Sequence, residues 1–179
     1  MPAIISITED QLFTALGAWL APFLPTGGVA FKSQANRVAQ PPDPSIELTP
    51  ILRVGLSVPV STYDPVGLTQ TITEPTRLDV QADFRGDGMG DVARAVKTAW
   101  RSIYGPAALQ AAAGTQNVAP LYCSDELQSP FITGERQYSE RWTVTLALQY
   151  NCDVTLAQAF FNQPVPVNRK AADVLYPAE

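Results

Sequence analysis

The chain has 179 residues, 46% hydrophobic and 16% charged, which suffices for one domain with a real core. Its 12 lysines and arginines stand against 17 acids, a formal charge of -5, so no basic field is available to hold a phosphate backbone, and a sequence-specific DNA binder is excluded. Histidine is absent, which removes the usual general base and the Ser–His and Cys–His nucleophile pairs.

The first helix is announced at Thr8, a fitting N-cap, with Gln11 as the returning half of a capping box and Ile7 and Leu12 as a hydrophobic staple. Glu9 and Asp10 suit the positive end of the helix dipole. Leu12, Leu16, Trp19, Leu20 and Phe23 recur at helical spacing, and "PTGG" from Pro25 is the expected stop. "VAFKSQ" (29–34) is short and alternating, and "SIELTPILRVGLSV" from Ser45 reads as a longer strand in which Pro50 implies an edge or a bulge. "PVSTYDPVGLTQ" (59–70) is longer than a tight hairpin needs and is the first candidate for a functional loop.

"TRLDVQADFRG" is the clearest half-buried strand, with Leu78, Val80, Ala82 and Phe84 on the core face. Arg77, Asp79, Gln81, Asp83 and Arg85 form a face that is wet or turned to a partner. A Gly-rich turn then leads into a second helix, where Val92, Val96, Ala99, Trp100 and Ile103 repeat the helical spacing and Gly105 and Pro106 mark the end. "PAALQAAAG" can add one or two helical turns, and "VAPLYCSD" is a short extended piece. "GERQYSERWTVTLALQY" (134–150) reads by parity as one strand. Tyr138, Trp142, Val144, Leu146, Leu148 and Tyr150 share a face, broken only by Glu140. Its charged beginning is expected to run beyond the subunit's own sheet. "VTLAQAFFNQ" fits a short strand or a helical turn.

The fold class is therefore α+β: a mostly antiparallel sheet with two main helices on one face, long loops and an extended C-terminal tail. Residues 1–162 form the domain, and 163–179, spaced by prolines, form the tail. The two cysteines, Cys123 and Cys152, read as buried thiols in a reducing cytosol. Without a basic leader or a long apolar run, the expectation is a soluble protein used without export and without a membrane partner.

No motif carries chemistry. Asp79, Asp83, Asp87 and Asp91 fall at four-residue intervals, but they span a strand, a turn and a helix start, and read as outward charges and helix N-cap candidates. "FRGDGMGD" has neither the alternate carboxylates of a calcium loop nor the spacing of a dinucleotide cradle, and is a flexible turn. No catalytic residue, cofactor or metal is expected.

Four segments together, "SITEDQLFTALGAWL", "QANRVAQPPDPSIELTPI", "RLDVQADFRGDG" and "VAPLYCSDELQSPFITGERQYSERWTVTLALQY", resemble the tail terminator (neck terminator) proteins of tailed bacteriophages. The resemblance covers residues 6–154 and lies in the order of the segments. It implies a small α+β subunit that forms a ring, commonly of six, at the head-proximal end of the tail tube. Gln34, Asn36, Pro41, Asp79, Pro120, Pro130, Phe131, Glu140, Arg141 and Trp142 are the positions most like the family, as scaffold or interface.

The implied partners are further copies of the chain, the tail tube protein, the head-completion or connector protein, and the sheath protein if the tail is contractile. DNA enters only as passing lumen content. The implied location is the virion neck after assembly in the host cytoplasm. Contacts are expected at Tyr63, Asp64 and Leu68, at Arg136, Tyr138, Glu140 and Arg141, and at Val165, Val167 and Tyr176 in the tail. Arg141→Glu is expected to weaken the ring more than Lys97→Glu. The alternatives are another neck or tail ring, such as a head-tail adaptor or tube subunit, and a small-molecule-binding or hydrolytic domain using the four aspartates.

Overall fold

The structure, a computed structural model, describes residues 3–33, 41–129, 131–132 and 138–158. Two strands of 17 residues form its axis: β5 (Thr69–Arg85) and β10 (Arg141–Ala157) pair antiparallel from Arg141↔Arg85 to Ala157↔Thr69. At about 3.3 Å per residue this ribbon is about 55 Å long.

On the far side of β5 lie β3 (Ser45–Gly55) and then β4 (Val60–Asp64), both antiparallel to it, while β2 (Val29–Lys32) runs parallel to β3. β10 carries on its other side β7 (Leu127–Gln128), β6 (Val118–Cys123) and β1 (Ile4–Ile5). β8 (Phe131–Ile132) and β9 (Tyr138–Ser139) make a separate small hairpin. The sheet is antiparallel apart from β2. As Pro50 required, the β3–β5 register shifts between Pro50 and Leu52, because proline cannot donate to the ladder.

Helix α1 (Glu9–Leu20) starts as its sequence specifies: the Thr8 amide donates to Gln11 Oε1 at 2.8 Å and the Gln11 amide donates to Thr8 Oγ1 at 3.3 Å. It ends at Leu20 and tightens into a 3-10 turn over Ala21–Phe23, short of the expected Phe23, with Pro22 near the turn's start. α2 (Met89–Trp100) is followed by a full third helix, α3 (Tyr104–Ala113), where only one or two turns were expected. Gly105 and Pro106 therefore open α3 and do not close α2. Proline is tolerated in a first turn, and a Cβ on Gly105 would sit 2.6 Å from the Trp100 carbonyl oxygen, so glycine lets the two helices meet at a sharp corner.

The helices cover one face of one half of the ribbon. Leu78, Val80, Ala82 and Phe84 of β5, with Val144, Leu146 and Leu148 of β10, are buried beneath Leu16, Trp19, Val96 and Trp100. The Trp19 and Trp100 rings meet edge to face at 5.0 Å, and Trp100 Nε1–H donates to the Tyr122 carbonyl at 3.1 Å, so the large ring keeps its polar atom satisfied in the core.

The other half of the ribbon, β5 before Thr76 and β10 after Tyr150, extends past the helices as an arm. Val154–Ala157, which fitted strand or helix in the sequence, continues β10 to the arm's end. The expected 59–70 loop is strand β4 and a turn, with Pro59 and 65–68 outside strand.

Candidate assembly interface

At the end of the sheet nearest α2, the helix-free face carries a matched set of charges. Asp83 is 3% exposed and accepts from Arg141 Nη2 at 2.8 Å, Gln81 Nε2 at 2.9 Å and Thr143 Oγ1 at 2.5 Å. Arg85 pairs with Glu47, and Arg77 with Asp79. This face was expected to be wet or partner-facing; at Asp83 it is neither, because two cross-strand donors and Gln81 of its own strand enclose the carboxylate. Asp83 is thus no outward charge, and the N-cap of α2 is Gly88, not Asp87 or Asp91. Gly88 occupies the left-handed region (φ 74) and offers no side-chain cap.

Glu140 supplies what Gly88 lacks. One carboxylate oxygen accepts from the Gly88 amide at 3.1 Å and the other from Trp142 Nε1–H at 2.6 Å. An acid on the apolar face of the strand is explained here: it satisfies a donor at the positive end of α2 and the indole beside it. Gly90 makes the fit possible, since a Cβ there would lie 2.6 Å from Trp142 Nε1 and 3.1 Å from Glu140 Oε1.

Further along α2, Lys97 Nζ lies 2.6 Å from Glu126 and 2.7 Å from Asp125, and Arg94 also reaches Glu126. The hydrogen bond from Lys97 is the main cause that holds the Glu126 carboxyl down at about 2, and the Lys97 ammonium is held above its ordinary range by the same acids, Asp125 first.

The expected contact residues separate into three sets. Tyr63, Asp64 and Leu68 lie together near the tip of the arm. Tyr63 Oη and Ser61 Oγ accept from Gln70 Nε2, Asp64 Oδ1 accepts the Val66 amide at 2.9 Å to shape the turn, and Leu68 sits at φ 51. Glu140 and Arg141 lie about a strand's length away, turned onto α2 and Asp83 of their own subunit. Arg136, Val165, Val167 and Tyr176 lie outside the described residues, as does the side chain of Tyr138.

The charged half of the 134–150 segment was expected to overrun the sheet. Residues 134–137 of it lie outside the described residues, Tyr138–Ser139 pair with β8 apart from the main sheet, and β10 is paired with β5 from Arg141 to Ala157. Cys123 and Cys152, expected to be buried, are free thiols of intermediate exposure, and burial together with nearby acids pushes the Cys123 thiol up. The burial contribution is the larger one.

The sequence reading did not find the apolar surface of the arm. Leu56, Val58 and Val60 are exposed, Val58 to 82%, with Val66 at the tip exposed to 92%, and Leu52 and Val54, opposite Asp79 and Arg77, continue this surface on the helix-free face. Between Val54 and Thr73 the only charged side chain is Asp64. Monomeric proteins rarely leave so much contiguous apolar surface in water. The available signal was the run from Ile51 to Val60, apolar at nearly every second position without a charge after Arg53.

Among the described residues no helix is long and apolar enough to cross a membrane. No curated protein matches the chain. The sequence profile of the phage neck terminator protein family matches residues 10–171, and with an α+β fold of the expected kind beneath that match, the chain belongs to this family of structural proteins of the phage neck.

Proposed function

We propose that the chain closes into a homo-oligomeric ring, six subunits as the resemblance implies, that caps the tail tube and joins it to the head-completion or connector protein. The observation that carries this reading is the arm: a ribbon extending past its own helices with exposed, nearly uncharged apolar side chains, a surface that needs a protein partner. Contacts between identical subunits that close a rotation end in a ring instead of a filament, and a closed ring at the end of a tube stops its growth.

The role needs no catalysis. The acidic chain suits a lumen that DNA passes through without being gripped, because like charge repels the duplex. Assembly takes place in the host cytoplasm and the product resides in the virion neck. The sheath is a further partner if the tail is contractile. Tyr63, Asp64 and Leu68 are the residues expected at subunit or tube contacts, with Val165, Val167 and Tyr176 reaching neighbours from the tail.

Electron microscopy of phage lacking the gene is expected to show separate heads and tails; particles with no tails at all would instead identify a tube subunit. The purified protein is expected to bind isolated tube ends and not heads alone, and failure to bind tube ends overturns the reading.

A further inference from the structure

The exposed apolar side chains are not scattered. Apart from Ile103 and Tyr104 at the α2–α3 corner, every large one among the described residues lies along one of two opposite margins of the same sheet. One margin is β2 with the outer side of β3 and β4 and the turn at the arm's tip. The other is formed by Ile4 and Ile5 of β1, Leu121 and Tyr122 of β6 and Leu127 of β7, all on the far side of β10.

The apolar stretches of both margins are poor in charge, and Lys32, Glu47 and Arg53 on the first and Asp125 and Glu126 on the second are ion-paired within the subunit. Ile4–Ser6, 118–123 and Leu127–Gln128 carry no charged side chain, which matches the charge-poor stretch from Val54 to Thr73. Among the described residues, β1, β6 and β7 pair with β10 alone, and β3 beyond Leu48 has no strand on its outer side. Open backbone edges invite another strand.

We infer that the occupant of each margin is the opposite margin of a second copy of this chain: the β3–β4 margin of one subunit seats on the β1–β6–β7 margin of the next. This rests on the ring reading and names its seam. Area supports it: the exposed apolar side chains amount to on the order of 1,000 Å² on the β3–β4 margin and about half that on the other, together comparable to the roughly 1,600 Å² of a stable interface. The scarcity of charge supports it as well, since the exposed apolar stretches, with Asp64 their one charged residue, offer little to a nucleic acid or an ionic partner. Because the two margins differ and lie on opposite sides, the contact is head-to-tail. Repetition of one rotation then consumes every margin only when the ring closes.

The experiment uses two full-length variants, Val58→Asp with Val60→Asp on one margin and Leu121→Asp with Leu127→Asp on the other. Serine in place of aspartate serves at any position where aspartate lowers the melting temperature. By native mass spectrometry, at concentrations where the wild-type chain is a ring, each variant alone is expected to be monomeric. Their equimolar mixture is expected to give a 1:1 dimer and nothing larger, joined through the one intact margin of each. Rings formed by either variant alone would overturn the seam and leave the ring reading standing. Homodimers of either variant, or a mixture without heterodimer, would also overturn it, the first by showing a like-to-like contact. A wild-type chain that stays monomeric up to its solubility limit would overturn both the seam and the spontaneous ring.

Discussion

Glu140 shows how a residue's type can be legible while its task is not. As an acid on an apolar strand face it is an anomaly, and an outward, partner-facing role was a reasonable expectation. The structure turns it inward, where two donors share its carboxylate. Glutamine has one carbonyl oxygen for those two donors, so Glu140→Gln is expected to cost about 1–2 kcal/mol in denaturant unfolding through a donor left without its acceptor. Gly90→Ala tests the same fit from the other side: its methyl would overlap Trp142, an overpacking cost of about 1–3 kcal/mol, and an unchanged midpoint would refute the close approach. Arg141 is likewise engaged, with Asp83 almost fully enclosed. Arg141→Glu would set two carboxylates together, and about 3 kcal/mol of lost monomer stability is expected in chemical denaturation. Its comparison with Lys97→Glu therefore measures folding before it measures ring formation, and the margin residues are the cleaner probes.

At the scale of elements, the segment between β6 and β7 is tied to α2 by Lys97, Arg94, Asp125 and Glu126. Glu126 has its carboxyl held down at about 2, below its ordinary 4.5, chiefly by the hydrogen bond from Lys97. A depressed carboxyl stabilises the folded state fully above its unfolded pKa, and that contribution is lost as pH falls through the folded value. The loss therefore lies between about pH 4.5 and about 2. Glu126→Gln is expected to lower stability near neutral pH by a modest amount, since the pair is near the surface, and to flatten the fall in unfolding free energy across that window. Parallel acid profiles for the two proteins would show that the tie is without effect. α1 needs less tertiary help, because its capping box and dipole-matched acids are local and were read correctly from a few adjacent residues. The corner between α2 and α3 is the opposite case: whether Gly105 and Pro106 end one helix or begin the next depends on what the following apolar residues pack against. Leu109 in the core favours the second outcome.

For the whole molecule, a seam between charge-poor apolar margins sets how the assembly responds to salt. An apolar contact is not screened, so the oligomer mass is expected to persist from about 50 mM to about 500 mM salt, whereas a seam made of ion pairs would weaken over that range. Dissociation at the higher concentration would favour the charged end of the sheet as the contact. The same charge balance predicts no retention on duplex DNA at about 150 mM salt. A long ribbon half covered by helices is also an economical plan for a ring subunit. One half supplies the core that folds the chain, and the other keeps apolar surface that only a neighbour can cover.

The sequence by itself determined what depends on neighbours in the chain. This includes the capped start of α1, the alternation that gives β5 and β10 their buried faces, the bulge at Pro50, the α+β class and, through the order of its segments, the family. These follow from periodicity, capping and backbone restriction, which act over a few residues. Only the tertiary structure decided which polar groups were inside and which apolar ones were left outside. Asp83 and Arg141 meet across adjacent strands although they stand 58 positions apart, and Glu140 reaches an α2 terminus 52 positions away. The apolar residues from Leu52 to Val60 look like core in any local window, but the register shift at Pro50 sets Leu52 and Val54 opposite Asp79 and Arg77, on the face that the helices do not cover. Burial is a property of what packs on a strand, and no pattern within the strand records where that covering stops.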